Sequence, residues 1–244
     1  MNSTLKTISA VTVFSISMAA LESAVVVYLR ALYYPGEFTV SFKIIDSHIL
    51  LVEIVRELAT LIMLVTVGYV AGKNFKERFA YFLLSFAVWD IFYYGWLKVF
   101  IDWPSSFFDW DILFLIPVTW IGPVAAPVVC SITMIGLAIV LLNFRFSLSK
   151  TVWAYLIIGS ALVLFTFTRD YVALIASNDF VKDYPDLMQN EAFVKKAADL
   201  VPQPYAWNIF WAGELMFLLA IVNVGINKQI LGAEGIKDER WIAS

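Results

Sequence analysis

Residues 52–60, Val-Glu-Ile-Val-Arg-Glu-Leu-Ala-Thr, place charged side chains inside an apolar run that is otherwise long enough to cross a bilayer. Glu53, Arg56, Glu57 and Thr60 lie at positions i, i+3, i+4 and i+7, so all four share one face of a helix. Each charge near the centre of a membrane helix costs roughly 2.5–3.5 kcal/mol on insertion. We therefore expect these side chains to face the interior of a helical bundle.

Composition places the chain among polytopic α-helical membrane proteins. The 244 residues are 61% hydrophobic and 15% charged, whereas a soluble domain averages about 25% charged residues. The mean hydropathy is +0.80. The net charge of −3 argues against nucleic acid as a partner. His48 is the single histidine, which excludes a haem or multi-histidine metal site within this chain.

Six apolar runs predict an all-α bundle of six transmembrane helices that forms a single domain over residues 1–244. The predicted spans are about 7–29, 48–71, 79–101, 112–143, 151–176 and 205–227. Pro117, Pro123 and Pro127 in the fourth span predict a kink, a tilt or a re-entrant start. A broken helix over residues 116–127 is an alternative to a plain proline kink.

Basic residues predict that both termini are cytoplasmic, because they concentrate in alternate connections and in the tail at 228–244. These residues are Lys73, Lys76, Arg78, Arg145, Lys150, Lys228, Lys237 and Arg240. The loop at 177–204 is then external. We expect a short helix over residues 186–200, between two prolines, to lie flat on the outer surface. Asp109 and Asp111 are expected in a solvated acidic loop rather than at a metal.

Charged and polar residues on five of the predicted spans fall at mid-depth or in the outer half of the bundle. The candidate binding residues are Glu22, Glu53, Arg56, Glu57, Asp90, Tyr94, Arg169, Asp170 and Glu214. Because lipid-facing charges are costly, we expect these side chains to converge on one cavity. Six carboxylates and two arginines leave a negative excess, which calls for bound protons, a bound cation or entering water.

Two interpretations of the cluster remain open. One is structural pairing, with Glu53 or Glu57 bound to Arg169 and Asp170 bound to Arg56. The other is a hard divalent cation held by carboxylate oxygens. Its candidate ligands are Glu53, Glu57, Asp90, Asp170 and Glu214. Trp120, Trp207 and Trp211 fit an interfacial aromatic belt better than the wall of a lipid or quinone pocket.

Three functions are compatible with this pattern. The first is a transporter or channel that binds and moves a small cation or proton. The second is a membrane enzyme with a carboxylate-held metal, acting at the outer face on a lipid-like, amphipathic substrate. The third is a non-catalytic subunit that assembles with other membrane subunits. In each case the lipid bilayer is the principal surrounding partner.

Overall fold

The computed structural model describes residues 3–33, 47–143, 149–177, 180–183, 190–198 and 202–242, and these are overwhelmingly helical. The helices are α1 Ser3–Tyr33, α2 Ser47–Ala71, α3 Phe75–Ile101, α4 Ala125–Asn143, α5 Lys150–Ser177, α6 Glu191–Ala198 and α7 Trp207–Ile242. The strands are β1 Trp110–Phe114 and β2 Trp120–Pro123, and they form an antiparallel hairpin between α3 and α4. A short 3₁₀ helix, Phe180–Asp183, precedes α6.

Five helices are long and apolar enough to cross a membrane, which is consistent with a multi-pass integral membrane protein. Their apolar segments are Thr4–Leu32, Phe75–Ile101, Ala125–Asn143, Lys150–Ala176 and Trp207–Val224. The second predicted span, at 48–71, corresponds to α2, which forms a helix of 25 residues but is not among these five. It is the helix that carries Glu53, Arg56 and Glu57.

The long helix α3 lies at the centre, because it packs against α1, α2 and α4, while α5 packs mainly against α7. Buried polar contacts fix α3 against α1. The Ser15 and Ser85 hydroxyls are 3.0 Å apart, and the Trp96 indole donates a 3.0 Å hydrogen bond to the Ile16 carbonyl. In a bundle surrounded by lipid, such packing and hydrogen bonds hold helices together.

Local signals set the two ends of α3. Asn74 is the N-cap, and its side chain accepts a 3.0 Å hydrogen bond from the Glu77 backbone N–H. Asp102 ends the helix in the left-handed conformation, with φ of 55°. The Lys98 ammonium lies 2.7 Å from an oxygen of the exposed Asp102 carboxylate. This hydrogen-bonded pair holds the pKa of Asp102 below its usual range.

The hairpin corrects the predicted fourth span, because α4 begins at Ala125 and not at residue 112. Strand residues Trp110 and Phe114 pair with Pro123 and Trp120 respectively. The stretch 116–127, for which a plain proline kink and a broken helix were the alternatives, instead contains the second strand of a hairpin and the start of α4. Proline lacks a backbone N–H and disfavours the helix interior, which explains why this proline-containing stretch does not extend α4.

In the C-terminal half, one helix differs from the prediction and another lies within the predicted range. Helix α7 continues to Ile242, well beyond the predicted end at 227. Helix α6, Glu191–Ala198, lies inside the range 186–200 predicted for a short helix. The same prediction also covers residues 186–189 and 199–200, which lie outside the described residues.

The contact between α5 and α7 depends on two glycines that let the helices approach closely. A Cβ placed on Gly159 would lie 2.9 Å from the Gly213 carbonyl oxygen and 2.7 Å from the Phe217 ring. A Cβ on Gly213 would in turn lie 3.0 Å from the Gly159 carbonyl oxygen. Small residues at such crossings allow the backbone contact that stabilises helix pairs in membranes.

Replacing Gly159 by alanine should therefore lower the free energy of unfolding, by about 1–3 kcal/mol, because the new methyl group overpacks the crossing. Reversible unfolding in SDS, followed by circular dichroism, measures this loss. Gly95→Ala is the matched control, since a Cβ on Gly95 meets nothing within 4 Å. Equal stability of the two variants would show that the close α5–α7 crossing is wrong.

Candidate functional site

A cavity of about 1100 Å³ lies among α1 to α5, the hairpin and Phe217 of α7. On α3 alone its lining residues extend from Phe79 to Ile101. At a rise of 1.5 Å per residue that stretch covers about 33 Å, close to the thickness of a bilayer core. The cavity therefore follows most of the length of the central helix.

The two halves of this cavity differ in chemistry. The half nearer Asp102, here called the charged half, contains all the charged side chains of the lining. These are Glu22, Arg30, Glu53, Arg56, Glu57, Asp90 and Asp111, with Asp102 and Asp109 at the rim. The half nearer Phe79, here called the apolar half, is lined mainly by aromatic and aliphatic side chains. They include Phe79, Phe82, Leu83, Phe86, Leu137 and Leu156.

Helix α2 turns its polar face toward this cavity. Glu53, Glu57 and Thr60 are buried, whereas Leu51 and Val55 on the opposite side are more than half exposed. The exposed face is therefore apolar and the buried face is charged. A helix bearing this pattern is stable in a bilayer only if the charged face meets protein partners.

Arg56 supplies those partners and joins α1 to α2. Its guanidinium forms an ion pair with Glu22 on α1 and donates a 2.7 Å hydrogen bond to Glu53 on its own helix. The Thr60 hydroxyl donates a further 3.1 Å hydrogen bond to Glu22. One arginine is thus shared by two carboxylates in the wall of the cavity, so the three groups keep one net negative charge.

The hairpin is held over the charged half from two sides. The Leu115 backbone N–H donates a 2.9 Å hydrogen bond to Glu57 on α2. The Arg30 guanidinium lies 3.3 Å from an Asp111 oxygen, and its central carbon is 4.1 Å from the centre of the Trp103 ring. Asp111 is only 6% exposed. The expected solvated acidic loop is therefore wrong for Asp111, because the hairpin turns this carboxylate into the bundle.

Two cavity carboxylates have no ion-pair partner within 4.0 Å among the described residues. The nearest donor to Asp90 is the Ser131 hydroxyl, at 2.8 Å, and Glu57 accepts the Leu115 backbone N–H. Five carboxylates and two guanidiniums belong to the charged half without its rim. The cavity wall therefore keeps a formal negative excess after Arg30 and Arg56 have formed their ion pairs.

The structure brings six of the nine predicted binding residues to the cavity and separates three from it. Those that line it are Glu22, Glu53, Arg56, Glu57, Asp90 and Tyr94. Glu214 lies outside the lining, buried on α7, and accepts a 2.6 Å hydrogen bond from the Thr133 hydroxyl. The prediction of one convergent cluster is thus wrong in part, because similar depth does not fix how a helix is rotated.

Arg169 and Asp170 have a separate role near the C-terminal end of α5. The two side chains are 3.1 Å apart, and each also binds the segment that leads into α7. Arg169 donates to the Pro204 carbonyl, while Asp170 accepts a 2.9 Å hydrogen bond from the Gln203 backbone N–H. The ion pairs expected between these residues and the glutamates or arginine of α2 are not formed.

The predicted metal set is likewise not assembled. Among the described residues, no three histidine, cysteine, aspartate or glutamate side chains lie close enough to hold a metal ion. Asp170 and Glu214 lie outside the cavity lining, and Asp90 is on a different helix from Glu53 and Glu57. Carboxylates that line one cavity are therefore dispersed along its walls instead of gathered around one point.

Sequence reasoning missed several residues of the lining. Arg30 and Tyr93 were not among the predicted binding residues, and Trp120 was predicted in an aromatic belt, yet all three line the cavity. Trp211 lies outside the lining and is 53% exposed, as a belt residue would be. The prolines before α4 were the signal in the sequence for a break in the predicted fourth span. The hairpin at that break brings Asp111 and Trp120 into the bundle.

Substituting Arg56 by glutamine should lower the free energy of unfolding by about 3–5 kcal/mol, because Glu22 and Glu53 would remain buried and unpaired. Unfolding in SDS measures the loss. Adding Glu22→Gln and Glu53→Gln to this variant should restore much of the stability by removing the two charges. If Arg56→Gln is as stable as the unmodified protein, the bridge between α1 and α2 is not structurally important.

In comparisons with known proteins, no protein-family model matches the chain, and no curated protein or solved structure matches it either. What the protein does must therefore be inferred from the chemistry of its cavity.

Proposed function

We propose that this protein binds an amphipathic organic cation in the cavity and transports it through the membrane. The observation that carries this proposal is the division of one cavity into a charged half with excess carboxylates and an apolar half lined by phenyl rings and aliphatic side chains. A ligand with a positive headgroup and an apolar tail matches both halves at once.

The size of the cavity favours an organic ligand over a bare ion. A volume of about 1100 Å³ lies slightly above the range of about 300–1,000 Å³ for sites that enclose drug-sized molecules. A small cation would instead need several oxygen ligands around one point, and the described carboxylates do not gather in that way. These observations favour a larger cation over the small cation expected from the sequence.

Charge complementarity favours a cationic headgroup. Glu57 and Asp90 line the cavity without an ion-pair partner among the described residues, and an unpaired carboxylate in an apolar environment is unfavourable. A cation placed between these helices would restore the balance. The aromatic side chains Tyr93 and Tyr94 also line this half, and ring faces attract organic cations.

The length of the cavity supports transport. Its lining follows α3 for a distance close to the thickness of a bilayer core, as a substrate path requires. In this proposal α2 also crosses the membrane, which gives six spans in all. Both termini are then cytoplasmic, and the charged half and α6 lie toward the outer face. The ligand would then enter with its headgroup in the outer half.

Binding of dodecyltrimethylammonium to the protein in lipid nanodiscs tests the site, with empty nanodiscs giving the background partition into lipid. The combined change Glu57→Gln and Asp90→Asn should weaken binding at least about tenfold, because it removes two cavity charges. Glu214→Gln is the matched control and should leave affinity unchanged, since Glu214 is a buried carboxylate outside the lining. Equal loss in both cases, or no specific binding, would contradict the proposal.

Transport is tested by uptake of radiolabelled hexyltrimethylammonium into proteoliposomes. Uptake should require the protein and should fall in parallel with binding in the Glu57→Gln and Asp90→Asn variant. If the protein binds the cation but no uptake is measured under an inside-negative potential, the binding site is supported and the transport role is contradicted.

A further inference from the structure

Two tryptophans of the cavity wall have hydrogen-bond donors that nothing in the described part of the chain accepts. Trp89, on α3, is 5% exposed, and Trp120 is the first residue of β2. Both line the cavity, and the indole Nε1 atom of each is buried without a hydrogen-bond partner among the described residues. Trp96 on the same helix differs, since its indole donates to the Ile16 carbonyl at 3.0 Å.

Both indoles contact the same phenyl ring. The Phe114 ring centre is 6.3 Å from that of Trp89 and 5.4 Å from that of Trp120. Each indole also contacts a second phenyl ring, because Phe86 lies 5.5 Å from Trp89 and Phe167 lies 6.1 Å from Trp120. The two tryptophans therefore belong to one aromatic cluster in the cavity wall.

Their position in the cavity is at the boundary between the two halves. Trp89 directly precedes Asp90, the one carboxylate that α3 contributes to the charged half. Phe86, one helical turn earlier, belongs to the apolar half. A ligand that spans both halves passes this boundary. Both indole Nε1 atoms are closed off from the cavity in this structure, so an acceptor on the ligand reaches an N–H group when the indole ring turns toward the cavity. A buried donor without an acceptor is energetically unfavourable, which favours that turn.

We propose that Trp89 and Trp120 form a subsite for oxygen acceptors, so that the ligand carries a carbonyl or ester group between its cationic head and its apolar tail. The inference of a cationic head depends on the proposed function of the cavity, whereas the inference of an acceptor group depends on the two indoles alone. An indole N–H donates and cannot accept, so the matching ligand group is an oxygen acceptor and not a second donor.

The test compares two probes that differ in this group: lauroylcholine, and an alkyltrimethylammonium of equal chain length. The unmodified protein in nanodiscs should bind the ester more tightly. Trp89→Phe and Trp120→Phe each remove the N–H and keep an aromatic ring. Each should lower the preference for the ester over the alkyl probe about 3- to 10-fold, as expected for loss of one hydrogen bond. Trp211→Phe, an exposed position outside the lining, is the control.

A second measurement keeps the test decisive where a variant does not fold. In the ¹⁵N-indole NMR spectrum of the unmodified protein, two resonances should shift on addition of lauroylcholine and remain in place with the alkyl probe. Equal affinity for the two probes, with no selective shift, would overturn the subsite while leaving the cation site intact. Absence of binding by both probes would overturn the proposed function and the subsite together.

Discussion

The Arg56 guanidinium, shared between Glu22 on α1 and Glu53 on α2, is the interaction on which the rest of the bundle depends. Helix α2 packs mainly on α3 and has little other contact with α1. Its charged face can remain in a bilayer protein only while those charges are paired inside. The bridge thus keeps α2 in place as a wall of the cavity and presents Glu57 to the hairpin.

From that constraint the remaining chemistry follows. Arg56 forms ion pairs with two carboxylates, and Arg30 forms an ion pair with Asp111. Glu57 and Asp90 therefore remain as carboxylates without an ion-pair partner among the described residues. Charge of one sign on a wall of low polarity raises the affinity for the opposite charge. The apolar half of the same cavity adds a requirement for hydrophobic surface, and the two requirements together select an amphipathic cation.

The sequence predicts the helical membrane class and the inward face of α2 because both depend on local patterns, namely run length and the i, i+3, i+4, i+7 spacing. The hairpin was not predicted, since strands of four and five residues inside an apolar run carry no periodic signal. The rotation of α5 and α7 was also beyond the sequence. Arg169 and Glu214 were predicted at depths similar to that of Arg56, yet tertiary packing directs them to Pro204 and Thr133 instead of the cavity.

A crystal structure of the protein with a bound ω-bromoalkyltrimethylammonium tests the central claim most directly, because the bromine marks the tail by its anomalous signal. The account predicts the trimethylammonium group near Glu57 and Asp90 in the charged half, and the bromine among Phe82 and Phe86 in the apolar half. A bromine signal on the lipid-facing surface, or a headgroup bound away from these carboxylates, would contradict it.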